Sequence, residues 1–357
     1  MPMEHNTKER VEYIDALRGL TMILVVCHHI AFWCFDNVEL AYNEFFIKFR
    51  MPTFFFISGL LFFKVNRVWD KETISSILKK KFMVQIIPFL FFMLLFMYLF
   101  RGPDYHTTFE SKYGFWFTYT LFQYFVTYIV IEALFNKKQS NKREFGVMLF
   151  MLVLSILAFY YENMRFLFPD IFRQVLTLLS FTKMKYIIFF WLGTFVKRNF
   201  ASFIRITDNQ YVIAICLCIF FVLAIHAKAI YLSNNELRLF SFLLSGITGI
   251  IIVFTFFRKN EVYISKSNLI GKVLQFIGRR TLDIYLIHFF VLPYHIHQIG
   301  TWPTISYKLL DLVMFLILAF WIIAISLLIS SVIRLSPFLG HYLFGAKRVN
   351  SSNLTDN

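Results

Sequence analysis

Charge is scarce in this chain. Only 16% of its 357 residues are Asp, Glu, Lys or Arg, against about a quarter in a soluble domain of ordinary composition. Cysteine is rarer still, with Cys27, Cys34, Cys216 and Cys218 the only four. All lie within or at the edge of apolar runs, at spacings that suit neither a disulfide framework nor a zinc site, so they read as packing residues. No A-x-A-like site follows the first apolar run, which is therefore expected to act as a signal anchor rather than a cleaved peptide. The sequence also lacks an internal repeat, which disfavours transporters built from repeated halves.

What is abundant is apolar side chain: 58% of the residues, 48 of them Phe. Runs of the length that crosses a bilayer, about 17–25 residues, recur along the chain. In order they give about ten spans, near 14–35, 45–63, 82–100, 114–135, 145–161, 175–196, 210–226, 238–257, 276–293 and 309–333. The expected fold is an all-α, polytopic transmembrane helix bundle. The least certain stretch is 162–196, where Pro169 and Asp170 favour a break. Nine or eleven spans are the alternatives.

The net charge of +15 could suggest a nucleic-acid partner, but its placement argues otherwise. With the N-terminus inside, the tails and even-numbered connections hold 24 of the 36 Lys and Arg. They include "KVNRVWDKETISSILKKK" and "NKKQSNKRE". This asymmetry predicts both termini in the cytoplasm and a cell-membrane location. The basic charge is read as a topology signal, with membrane lipid and not nucleic acid as the partner. A single membrane domain over 14–335 is expected between short cytoplasmic tails, 1–13 and 336–357.

"LRGLTMILVVCHHI" opens the first span with Arg18 and reaches His28 and His29 without a charge between. Eleven helical steps from Arg18 to His29 amount to about 20° of net rotation and about 16 Å of depth. The two side chains therefore share a face, while His28 points about 80° away from Arg18. Asp15, three residues before Arg18, can pair with it. Arg18 could equally snorkel to the headgroups as a topology residue, and a mid-depth histidine could serve as an interhelical hydrogen bond. Ionisable groups inside a membrane nonetheless tend to line a cavity or pathway. In "GRRTLDIYLIHFF", Thr281, Tyr285 and His288 recur at i, i+4 and i+7 on one stripe. In "FFIKFRMPTFFFISGLLFF", Arg50 and Ser58 are carried into the second span, and a buried guanidinium needs an anionic or dipolar partner. Three helices thus bring polar groups that could surround one cavity. His295 and His297 in "HIHQ" have no further ligands nearby and suggest no metal site.

Four stretches, in this order, resemble the acyltransferase-3 family of integral-membrane acyltransferases. "YIDALRGLTMILVVCHHI" is similar to its Arg, ten residues, His opening, here Arg18 and His29. "FRMPTFFFISGLLF" resembles its second-helix motif, "WFTYTLFQYF" its Trp-Phe motif beginning here at Trp116, and "TLDIYLIH" its Tyr-x-x-His motif. The resemblance runs from about residue 12 to 335. It implies an enzyme that acylates hydroxyls of cell-surface glycans or glycolipids, most often with acetyl, from cytoplasmic acetyl-CoA or another acyl-CoA. It carries over Arg18 and His29, and Trp116 as a substrate-side residue. Two departures stand out: no hydrolase-like domain of the kind some members carry after the membrane part is expected from this sequence, and His28 sits beside His29.

The residues suit that chemistry independently. Acyl transfer to an alcohol needs a base near neutral pKa, for which His29 is the candidate, with His288 at comparable depth. It needs a donor for the developing oxyanion, for which Arg50, Tyr285 and Ser58 are candidates. Arg18 suits a phosphate-bearing coenzyme, and Asp15, Ser58 and Thr281 are expected to line the substrate path. No group that orients His29 can be named from sequence. The readings outside the enzyme class are a flippase or exporter of a lipid-linked anionic glycan; a membrane glycan polymerase would call for a larger outer loop than 162–185.

Overall fold

The computed structural model describes residues 11–35, 41–65, 67–100, 109–135, 141–264, 268–294, 296 and 308–346. Among them no strand occurs. In chain order the helices are α1 (Glu12–Cys34), α2 (Ala41–Phe62), α3 (Lys71–Lys81), α4 (Ile87–Leu99), α5 (Trp116–Phe135), α6 (Asn141–Met164), α7 (Asp170–Leu178), α8 (Ile187–Arg198), α9 (Phe200–Asp208), α10 (Gln210–Ile225), α11 (Ala227–Tyr231), α12 (Asn235–Lys259), α13 (Leu269–Arg279), α14 (Thr281–Val291), α15 (Lys308–Ile333) and α16 (Pro337–Phe344). Some of their starts carry polar caps. Asp70 accepts from the Thr73 N–H at 2.7 Å, which holds its carboxyl below the ordinary range, and Asn234 and Asn268 cap α12 and α13 in the same way.

Seven helical stretches are long and apolar enough to cross a membrane, and two bent pairs bring the total to nine. Of the ten expected runs, 276–293 is the one that holds no helix of spanning length. The chain breaks at Arg280, and α14, at 11 residues, rises only about 16 Å, half the hydrocarbon thickness. At 162–196 a break falls where Pro169 allows it: Pro169 precedes the first turn of α7, which joins the Phe181–Arg198 segment at a 54° bend.

A wide turn interrupts the third span. Over Phe82–Ile86 the helix loosens to π geometry, and the Ile87 N–H reaches back to the Phe82 carbonyl. Pro88 follows, which has no N–H to offer the Val84 carbonyl and whose ring crowds it, so an expanded turn relieves the clash.

Two glycine crossings lock the bundle around α1 and α2. A Cβ on Gly19 would stand 2.0 Å from the Leu274 carbonyl oxygen, and one on Gly278 1.7 Å from that of Asp15, so α1 and α13 touch backbone to backbone. Gly59 and Gly193 do the same for α2 and α8. Small residues allow such approach where lipid supplies no hydrophobic drive between helices. The C-terminal part of α1, from Met22 to Cys34, packs into one aromatic core with α4, α14 and α15; its first turns, Tyr13 to Leu17, join a second core with α2, α5 and α8. This places α1 at the centre. After α15, α16 folds back on α4, with Phe344 set 6.1 Å from Phe92.

Candidate active site

The central helix presents Arg18 and His29 toward the α13–α14 unit, as the helical face argument predicts. At the lower end Arg18 donates from Nη2 to Thr281 Oγ1 at 2.8 Å, and Asp15 stands 3.8 Å from its other terminal nitrogen. At the upper end His29 Nδ1 lies 2.8 Å from His288 Nε2, with the ring planes 11° apart. Phe289 covers the His29 ring at 4.9 Å. His28 instead stacks on Phe32.

The hydrogen-bond chain assigns the tautomers. His288 Nδ1 is 2.9 Å from the Ile284 carbonyl oxygen, which can only accept. The proton of neutral His288 therefore sits on Nδ1, and its Nε2 offers a lone pair. That lone pair accepts from His29 Nδ1–H, so His29 keeps a free lone pair on Nε2. His288 is fully buried and His29 is part-buried. His288 is thus the orienting group that sequence alone could not name.

What holds α14 in register is a buried ionic knot. Asp283 accepts from Arg334 Nε and Nη2 at 2.9 and 2.8 Å, from Ser330 Oγ at 2.5 Å and from Arg280 at 3.0 Å. A buried carboxylate satisfied this completely fixes α14 against α15. It was not legible beforehand because the partners lie 47 and 51 positions away.

The other expected residues divide into those near the histidines and those elsewhere. Arg50 is buried, and its Nη1 has no hydrogen-bond partner among the described residues. Its charge lies in electrostatic reach of His29 and Cys27. Ser58 donates to the Phe54 carbonyl at 2.8 Å. Tyr285 donates to the Gly114 carbonyl and accepts from the Phe117 N–H, both at 3.0 Å, so its hydroxyl clamps the start of α5. Trp116 stands apart, stacked on Tyr186 with Lys183 Nζ 5.2 Å above its ring.

A cavity of about 450 Å³ runs beside these groups. Its mouth carries Arg18, Lys64, Arg67, Lys80 and Lys81, its middle Ser58, Gln85 and Thr118, and its inner end Phe117 and Tyr285. Tyr285, one helical turn before His288, is the last residue of α14 to line the cavity, and neither His29 nor His288 is among its lining residues. The four further cations and Gln85 were missed as site residues. Their signal was in view in "KVNRVWDKETISSILKKK", but a positive-inside stretch and a polyanion site have the same composition. Among the described residues no three His, Cys, Asp or Glu side chains converge as a metal site would require; His295 and His297 lie outside the described residues.

A multi-pass helical membrane protein with a cavity that carries five cations and reaches Tyr285, one helical turn short of a hydrogen-bonded histidine pair, is the class that fold and site define. The model of the acyltransferase-3 family, described as an acyltransferase domain, matches residues 11–333, and the chain belongs to that family. It is a membrane acyltransferase, which sets aside the carrier and polymerase readings. Neither the comparison with curated proteins nor that with solved structures returns a match.

Proposed function

We propose that the protein transfers an acyl group, acetyl in the first instance, from cytoplasmic acyl-CoA to a hydroxyl of a cell-surface glycan or glycolipid. The observation that carries this reading is the His29–His288 hydrogen bond, anchored on the Ile284 carbonyl, which leaves Nε2 of His29 as the basic nitrogen. His29 takes the proton of the acceptor hydroxyl as its oxygen attacks the thioester carbonyl carbon. The carbonyl oxygen becomes an oxyanion, and Arg50, whose Nη1 lacks a protein partner, is the donor suited to it. When the tetrahedral carbon collapses, the C–S bond breaks and the thiolate leaves, taking the proton from His29. Ester and free coenzyme thiol are the products, with no net proton change.

Donor placement follows from charge. Five cations at one cavity mouth suit the phosphates of a coenzyme, with Arg18 offering a planar fork. That mouth belongs to the Lys- and Arg-rich side of the chain, which the positive-inside rule puts in the cytoplasm with acyl-CoA. The acceptor reaches His29 from the other side, where the aromatic surface around Trp116 and Tyr186 suits the apolar faces of sugar rings. Asp15 and Thr281 act by holding Arg18, and Tyr285 by fixing α5. Membranes containing the protein, given acetyl-CoA labelled in the acyl group, should release free coenzyme thiol in proportion to label gained by surface glycan. Thiol release with no glycan label would overturn the acceptor, and neither signal would overturn the reaction.

A further inference from the structure

The cavity lining includes a carboxamide whose oxygen has no partner among the described residues. Gln85 is 7% exposed, and its Oε1 is buried without a hydrogen-bond partner among the described residues. The other polar side chains between the cationic mouth and the histidines are engaged. Ser58 donates to the Phe54 carbonyl, Thr118 to that of Phe115, and Tyr285 to that of Gly114. A buried amide left unpaired is destabilising unless something else completes it. Gln85 also sits in the π turn over Phe82–Ile86, a distortion that recurs at functional positions.

Position narrows the ligand. Gln85 lies four residues beyond Lys81, about 6 Å deeper along the helix. Going inward, the cavity thus offers cations, then a carboxamide with an unsatisfied oxygen in an apolar tube of Met22, Phe54, Ile57 and Leu121, then Tyr285, one helical turn short of His288. A coenzyme thioester presents the same order: phosphates, a flexible apolar arm carrying two secondary amides, and the acyl carbon. We propose that the Gln85 carboxamide hydrogen-bonds an amide of that arm, its oxygen accepting the arm's N–H, and so sets how far the thioester reaches toward His29. Gln85 is on this account a positioning residue for the donor, and the inference rests on the acyl-CoA reading above.

The test uses the full-length protein in nanodiscs and two probes, coenzyme A and adenosine 3′,5′-bisphosphate, which keeps phosphates but has no arm. Gln85→Met preserves length and removes the amide. It should weaken coenzyme A binding about tenfold, the scale of one buried hydrogen bond, and leave the bisphosphate unchanged. Its unliganded melting temperature should hold or rise, since an unpaired buried polar group is gone; a structural glutamine would show the reverse. Lys80→Gln with Lys81→Gln should weaken both probes. Should Gln85→Met fail to fold, Gln85→Asn, which pulls the amide back by one methylene, must show the same selective loss. Unchanged coenzyme A binding in a folded variant, or equal losses for both probes, overturns the role of Gln85 while the donor reading stands. A wild-type protein that binds neither probe overturns the donor reading and the inference with it.

Discussion

His29 Nδ1 and His288 Nε2 meet at 2.8 Å, joining α1 to α14 across 259 positions of sequence. One ring therefore sets the tautomer of the other, and a mutation at either should be felt as chemistry rather than as folding. His29→Ala should lower acyl transfer about a hundredfold or more, as loss of a general base does. His288→Ala should lower kcat with donor KM little changed, because it removes orientation and not binding. His28→Ala should cost far less. Acyl transfer in membranes matched for protein level measures all three, and a dead His28→Ala beside an active His29→Ala would put the base on the wrong ring.

Arg18 is expected to divide its roles cleanly. Arg18→Lys keeps the charge but loses the planar fork and the bond to Thr281 Oγ1. Donor KM should rise severalfold while membrane yield stays near wild type. Thr281→Val, which removes the acceptor for Arg18 and the hydroxyl's own bond to the Gly278 carbonyl, should shift donor KM in the same direction by less. A reduced yield with donor KM unchanged would return Arg18 to a topology role.

The crossing of α1 and α13 leaves no space for a methyl group. Gly278→Ala would place its Cβ 1.7 Å from the Asp15 carbonyl oxygen, which is backbone and cannot rotate away. Separation of the two helices should displace Arg18 from Thr281 and α14 from α1. Loss of activity together with a lower melting temperature in detergent is the expected outcome. Gly146→Ala, on a glycine with open space around it, serves as the control and should change neither.

Orientation can be read by labelling. A cysteine at Asn260, at the basic end of α12, should be shielded from an impermeant thiol reagent in intact cells, and one at Asn235, at the opposite end, should react. Labelling at Asn260 alone would invert the topology and move the cationic mouth to the outside, away from acyl-CoA.

Periodicity and hydropathy are local properties, and where the site depended on them the sequence was enough. Long apolar runs dictated a helical membrane protein, because only internally satisfied backbone survives in lipid. The angular step of one helix put Arg18 and His29 on a common face and turned His28 aside, since both facts follow from rotation per residue. Tertiary structure decided the rest. Hydropathy could not show that residues 276–293 break at Arg280, because a short apolar helix and a full span share one composition. Nor could it reveal that His288 orients His29, that Asp283 ties α14 to Arg334, or that Tyr285 spends its hydroxyl on α5. Each of those bonds has a partner far along the chain, and a hydrogen bond needs a distance and a direction that only packing supplies. The lysines of "SSILKKK" show the same limit from the other side. Sequence assigned them a side of the membrane, and only the fold turned two of them, Lys80 and Lys81, toward a cavity.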